Sequence, residues 1–161
     1  MSMRKGADWT DRLFTTVEVV LCVVPILVVA ILWASVSASG ADLTSTLREN
    51  PSMTVSFLAA MAQPLVAWML RFVHDHHVDG DDGYALANLV GLFCGELLMQ
   101  SLPGAVGCGL LMWRMWRGGA GELGEWKGRR GLGGVLADVS GAIVIIAIGA
   151  LCAFCTWRIG A

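Results

Sequence analysis

The chain has 161 residues, 56% of them hydrophobic and only 15% charged, with a formal net charge of -2 and a mean hydropathy of +0.67. A soluble domain carries about a quarter charged residues. Here the few charges gather in short stretches between apolar runs that can cross a ~30 Å hydrocarbon core, which takes roughly 20 helical residues. An ordinary soluble fold is excluded. The pattern predicts an all-α integral membrane protein, one domain built as a compact bundle of four to five transmembrane helices.

The first span is expected at about 13–37, with Pro25 near its centre. Arg4 and Lys5 before it and the small residues Ala34 to Ala38 after it imitate a signal peptide. The apolar run of about 20 residues exceeds the usual 7–15, so it is read as a retained span. A polar loop follows to Asn50, and Asn50-Pro51 reads as an N-cap with proline at the first helical position. It opens a second span at about 51–73, with Gln63-Pro64 near its middle and Arg71 snorkelling at its end.

His74 to Gly83 reads as a hydrophilic turn. From Tyr84 to Trp116 the chain is almost continuously apolar, interrupted at Ser101-Leu102-Pro103-Gly104. A straight helix of that length would measure about 50 Å, so the stretch is either a long kinked helix or a hairpin turning at Pro103-Gly104, with limbs at 84–101 and 104–116. Arg117 to Gly131, rich in glycine and charge, reads as a flexible loop. A last span is expected at about 132–157. Tryptophans 9, 33, 68, 113, 116, 126 and 157 fall near these span ends, as an aromatic belt requires.

The positive-inside rule favours the hairpin. With four spans, the two orientations place nearly equal numbers of Lys and Arg inside. With a hairpin and a cytoplasmic N-terminus, nine of the eleven basic residues lie inside and only Arg48 and Arg158 outside. The expected location is a cell membrane, crossed several times.

Ionisable groups inside a span cost a few kcal/mol on insertion scales and turn toward the bundle interior or water. Glu18, Glu96 and Asp138 qualify. Asn88, Glu96 and Gln100 share one face of the third apolar helix, while Ala87, Gly91 and Gly95 form a small-residue stripe on the neighbouring face. Glu96 either binds a proton or cation on a polar path, or serves as interhelical glue bonded to Gln63 or Gln100. The glue is the simpler reading. For Glu18 and Asp138 an interfacial ion pair near Arg114 is expected.

Three histidines and four aspartates crowd residues 74–82. Imidazole suits zinc, nickel or copper, which makes His74, His76, His77 and Asp79 candidate metal ligands. A solvated acidic turn explains them more simply. The EF-hand spacing from Asp75 fails at Leu86, where a bidentate glutamate is needed.

All five cysteines (Cys22, Cys94, Cys108, Cys152, Cys155) lie in apolar stretches, which argues against a secreted disulfide framework. Cys152-Ala-Phe-Cys155 resembles the helix-end C-x-x-C of membrane thiol oxidoreductases that pass electrons to a quinone. That family also needs a second cysteine pair in an exposed loop, which this chain lacks. Two small, soft residues in a lipid-embedded helix explain the pair.

No nucleotide loop, catalytic triad or haem pattern is present. The basic stretch from Arg114 to Arg130 suits anionic lipid, and no nucleic acid or cofactor is expected. Two functions stand close together, and the first is preferred. One is a non-catalytic subunit that associates with another membrane protein or itself through the Ala87-Gly91-Gly95 face, aided by Gly141 and Gly149. The other is a small transporter or channel component using Glu96, Gln100 and Gln63.

Overall fold

The structure is a computed structural model that describes the backbone of residues 2–40 and 42–160, and their side chains except 2–8, 39, 46, 49 and 118–120. The charges of Arg4 and Lys5 therefore lie outside the described side chains. Six helical elements follow one another: α1 (Ser2–Ser39), α2 (Leu43–Glu49), α3 (Pro51–Val78), α4 (Asp82–Leu98), α5 (Leu102–Asp138) and α6 (Ser140–Gly160). Among the described residues there is no strand.

Three helices are long and apolar enough to cross a membrane: Trp9–Ala38, Pro51–Val78 and Ser140–Gly160. The expected four to five spans thus reduce, on length and composition, to three, with α4 and the first part of α5 left over. These two form an antiparallel hairpin. Phe93 meets Gly109, Glu96 meets Gly104, and Gly83 meets Glu122 and Trp126. The turn lies at 99–101, and Pro103-Gly104 sits in the first turn of α5, where proline's missing N–H costs nothing.

α4 ends in a Schellman turn. Ser101 N–H donates to the Glu96 carbonyl at 3.0 Å and Gln100 N–H to the Leu97 carbonyl at 3.1 Å. Gln100 takes the left-handed position with φ 55°. It therefore lies beyond the helix, off the arc expected to hold Asn88 and Glu96.

Several other boundaries differ from the sequence reading. Arg117 to Arg130 is not a loop by structure: α5 continues as helix to a break at Gly131, where φ is 63°. Leu123 packs on the core and Trp126, only 3% exposed, turns inward onto Gly83. These contacts outweigh the low helix propensity of the glycines, about 1 kcal/mol each against alanine. Residues 132–138 belong to the end of α5, so the last apolar helix starts at Ser140 and Asp138 precedes it. α3 runs on through His77 to Val78, which shortens the polar turn to 79–81. The first loop holds the short helix α2. Pro25 and Pro64 lie within α1 and α3 without ending either helix.

The core forms where α1, α3, α4, α5 and α6 meet, around Phe14, Leu21, Val66, Leu70, Leu89, Leu92, Leu111 and Ile145. α4 runs parallel to α6 in close contact: Gly91 faces Ala142, and Gly95 faces Ile145 and Gly149. The six other tryptophans stay on the outer surface. One end of the bundle gathers the starts of α1, α4 and α6 with the end of α3. The other end gathers α2, the α4–α5 turn and the end of α6.

Candidate functional site: a buried Glu96–Gln63 pair beside a cavity

Glu96 lies in the last turn of α4, on the face that carries the buried Leu89 and Leu92. Its carboxyl is fully buried. From α3, Gln63 Nε2 donates to both carboxyl oxygens, at 3.2 Å to Oε1 and 3.1 Å to Oε2. The nearby Ser101 hydroxyl accepts from the Gly104 N–H at 3.4 Å. Across α5, a Cβ on Gly104 would overlap Glu96 Oε2, so this glycine provides the space the carboxyl occupies. Among the described residues no cation pairs with Glu96.

Gln63 is itself only 1% exposed, and its Oε1 has no hydrogen-bond partner. A buried acceptor left unpaired costs about 1–3 kcal/mol. Gln63 also lines a cavity of about 470 Å³ between α1, α3, the α4–α5 turn and the end of α6. Gln100 and Ser101 add polar groups to the wall, and Val24, Val28 and Val55 give it apolar surface. Gln100 holds a left-handed backbone that costs an ordinary residue roughly 1 kcal/mol and that glycine adopts freely.

The other candidate residues take separate positions. Asn88 is fully buried, and its Nδ2 donates to the Tyr84 and Asp138 carbonyls, each at 3.2 Å. Asp138 pairs with Arg130 at 2.9 Å, and Arg130 also reaches Asp81 at 3.4 Å. Glu18 lies 4.0 Å from Arg71. The expected neighbour of both acids, Arg114, instead donates to the Thr10 hydroxyl at 2.7 Å. Sequence spacing could not have shown that Arg130 joins Asp81 and Asp138, because the Gly131 break folds residues eight apart into contact.

The histidines diverge. His74 bonds Asp11 at 3.1 Å and stacks on Phe14, His76 stacks on Tyr84 and bonds the Phe72 carbonyl, and His77 bonds Asp82. Asp79 caps the end of α3. Among the described residues no three His, Cys, Asp or Glu side chains converge to hold a metal. The cysteines are free thiols, with Cys152 buried and Cys155 partly so.

The small-residue stripe is occupied within the chain. A Cβ on Gly91 would fall 2.6 Å from the Ala142 Cβ and one on Gly95 2.6 Å from Ile145 Cγ2, while one on Gly141 would overlap Met69 Cε. Ala87, partly buried, lies one turn before Gly91 on the same helix.

This is an all-helical chain with three helices apolar enough to cross a membrane, which fits a membrane protein. Comparison with protein-family models, with curated proteins and with solved structures finds no match to the chain.

Proposed function

We propose that the chain is a multi-pass protein of a cell membrane that works as a small transporter or channel component, with Glu96 and Gln63 at the centre of its polar path. The observation that carries this reading is a fully buried carboxyl with no cation among the described residues, joined through one amide to a cavity wall. Buried ionisable groups inside membrane bundles mark proton and ion pathways. The association reading loses its main support, because α6 covers the glycine face of α4.

The test is proton flux in reconstituted vesicles, read with an internal pH dye under an imposed potential. Wild-type protein is expected to conduct above protein-free vesicles. Glu96→Gln, which keeps the shape and the bond to Gln63, is expected to return flux to that baseline with its helical circular dichroism intact. Flux that survives the substitution, or never exceeds the baseline, removes the proposal.

In this reading α1, α3 and α6 span the bilayer and the α4–α5 hairpin enters from the side of the N-terminus. α4, with 17 residues, reaches about 26 Å, close to the core thickness. The N-terminus lies in the cytoplasm, which puts the Arg130 end there and Arg48 and Arg158 outside. Reporter fusions at Gly80 and Gly121 are both expected to report the cytoplasm. Opposite sides for the two would exclude the hairpin.

A further inference from the structure

Arg48 and Arg158 each stand where an apolar span meets its end. Arg158 is in the last turn of α6, at the close of the apolar helix Ser140–Gly160. Arg48 is in the last turn of α2, just before Pro51 opens the apolar helix of α3. In a bilayer such positions fall at the level of the lipid headgroups, which long basic side chains reach. Both arginines are exposed, and among the described residues neither pairs with a carboxylate. Arg71 and Arg130, by contrast, are engaged by Glu18, Asp81 and Asp138.

The two arginines border one groove. It lies between α2 and the end of α6, over the start of α3, and its volume of about 730 Å³ falls in the range of small-molecule sites. Leu43 and Leu47, one turn apart on α2, and Phe154 and Ile159 of α6 make its wall largely apolar. No Asp or Glu lines it. α2 packs on α1 and α3, while α6 packs on α3 and α4. Leu43, Phe154 and Ile159 therefore stay exposed, and the groove opens to the surface of the bundle.

Two cations beside an apolar groove select an amphiphile with an anionic head. A guanidinium presents paired N–H donors that match the oxygens of a phosphate. A zwitterionic head would bring a third cation to a groove that has no acid to receive it. An inorganic phosphate would leave the apolar wall unused.

We infer that this groove binds one anionic phospholipid of the surrounding bilayer. Arg48 and Arg158 hold its phosphate, and an acyl chain lies along Leu43, Leu47 and Phe154. The site shares only Val55 and Ile159 with the cavity beside Gln63. It requires the chain to lie in a bilayer and does not depend on transport through Glu96. The basic stretch at 117–130, at the opposite end of the bundle, attracts the same lipids by surface charge, so the experiment must separate the two.

The experiment is native mass spectrometry of the full chain in a non-ionic detergent, titrated with dioleoylphosphatidylglycerol, dioleoylphosphatidylcholine and oleate. One phosphatidylglycerol per chain is expected to bind about tenfold more tightly than phosphatidylcholine or more, with oleate also weaker. Arg48→Gln combined with Arg158→Gln is expected to erase the preference. Arg117→Gln combined with Arg129→Gln removes the same charge at the opposite end and is expected to leave it intact. Cys155→Phe keeps every charge and adds a ring to a residue that borders the groove. It is expected to weaken phosphatidylglycerol by about tenfold or more. Circular dichroism checks that each variant remains helical, and if Cys155→Phe does not fold, the two exposed arginine pairs decide alone.

Equal binding of the two phospholipids, or oleate binding as tightly as phosphatidylglycerol, would overturn the assignment. A preference that survives loss of Arg48 and Arg158, or wild-type affinity in folded Cys155→Phe, would do the same. A preference lost with Arg117 and Arg129 instead would place the lipid on the basic stretch and empty the groove of its role.

Discussion

Gly149→Ala is expected to destabilise the bundle by about 1–3 kcal/mol, the range for an inserted group that forces packed backbones apart. The added Cβ would fall 2.7 Å from the Gly95 carbonyl oxygen and 2.9 Å from the Leu98 Cβ. Neither is the free end of a flexible side chain, so α6 must move away from α4. That movement would also loosen Gly95 against Ile145 and Gly91 against Ala142, because the same parallel pair of helices makes all three contacts. Helices in lipid gain little from apolar burial and depend on close approach. Losing that approach removes most of what joins α6 to the hairpin.

The control is the same substitution elsewhere. A Cβ on Gly124 would meet nothing within 4 Å. In the middle of a helix, Gly→Ala lowers the entropy lost on folding and gains about 0.5–1 kcal/mol. Two chemically identical changes are therefore expected to shift stability in opposite directions. Denaturation in mixed detergent micelles followed by circular dichroism reads both. A Gly149→Ala variant as stable as wild type would mean that α4 and α6 do not touch as described.

What could be read from the sequence was the part governed by composition and helical period. Apolar length gives α1, α3 and α6, and the charge distribution favours a hairpin in the long third stretch. Glu96 and Gln63 stood out because polar groups are rare in such runs. Their pairing could not be read, since Gln100 was an equal candidate until the left-handed turn took it off the helix. Glycine content misled at 117–130, where propensity predicts a loop and packing of Leu123 and Trp126 beside α4 keeps a helix. The histidines of 74–77 show a different limit of the sequence. Near neighbours on a helix diverge by about 100° per residue, so density in sequence became three separate partners in space. Gly104 was legible as part of a turn at Pro103-Gly104, not as the space beside Glu96. Its role exists only because α5 folds back onto Glu96.

The last expectation separates a pair kept for stability from one kept for function. Gln63→Leu strips the Glu96 carboxyl of its two bonds from Gln63 Nε2 and leaves it fully buried. Glu96→Leu leaves the Gln63 amide with neither end partnered. Each single variant is expected to lose about 1–3 kcal/mol, the cost of stranding one half of a buried polar pair. The double variant replaces both halves by apolar groups of similar size and strands nothing. It is expected to recover most of the loss, with a coupling of about 1 kcal/mol or more, near the upper part of the range for bonds between membrane helices. A double variant that folds as well as wild type yet conducts no protons would show that the bundle does not need the pair to assemble. Its retention then reflects what passes through the site. A double variant that loses the full sum of the two single effects would mean that Gln63 and Glu96 stabilise their helices independently, and the paired centre on which the transport reading depends would be gone.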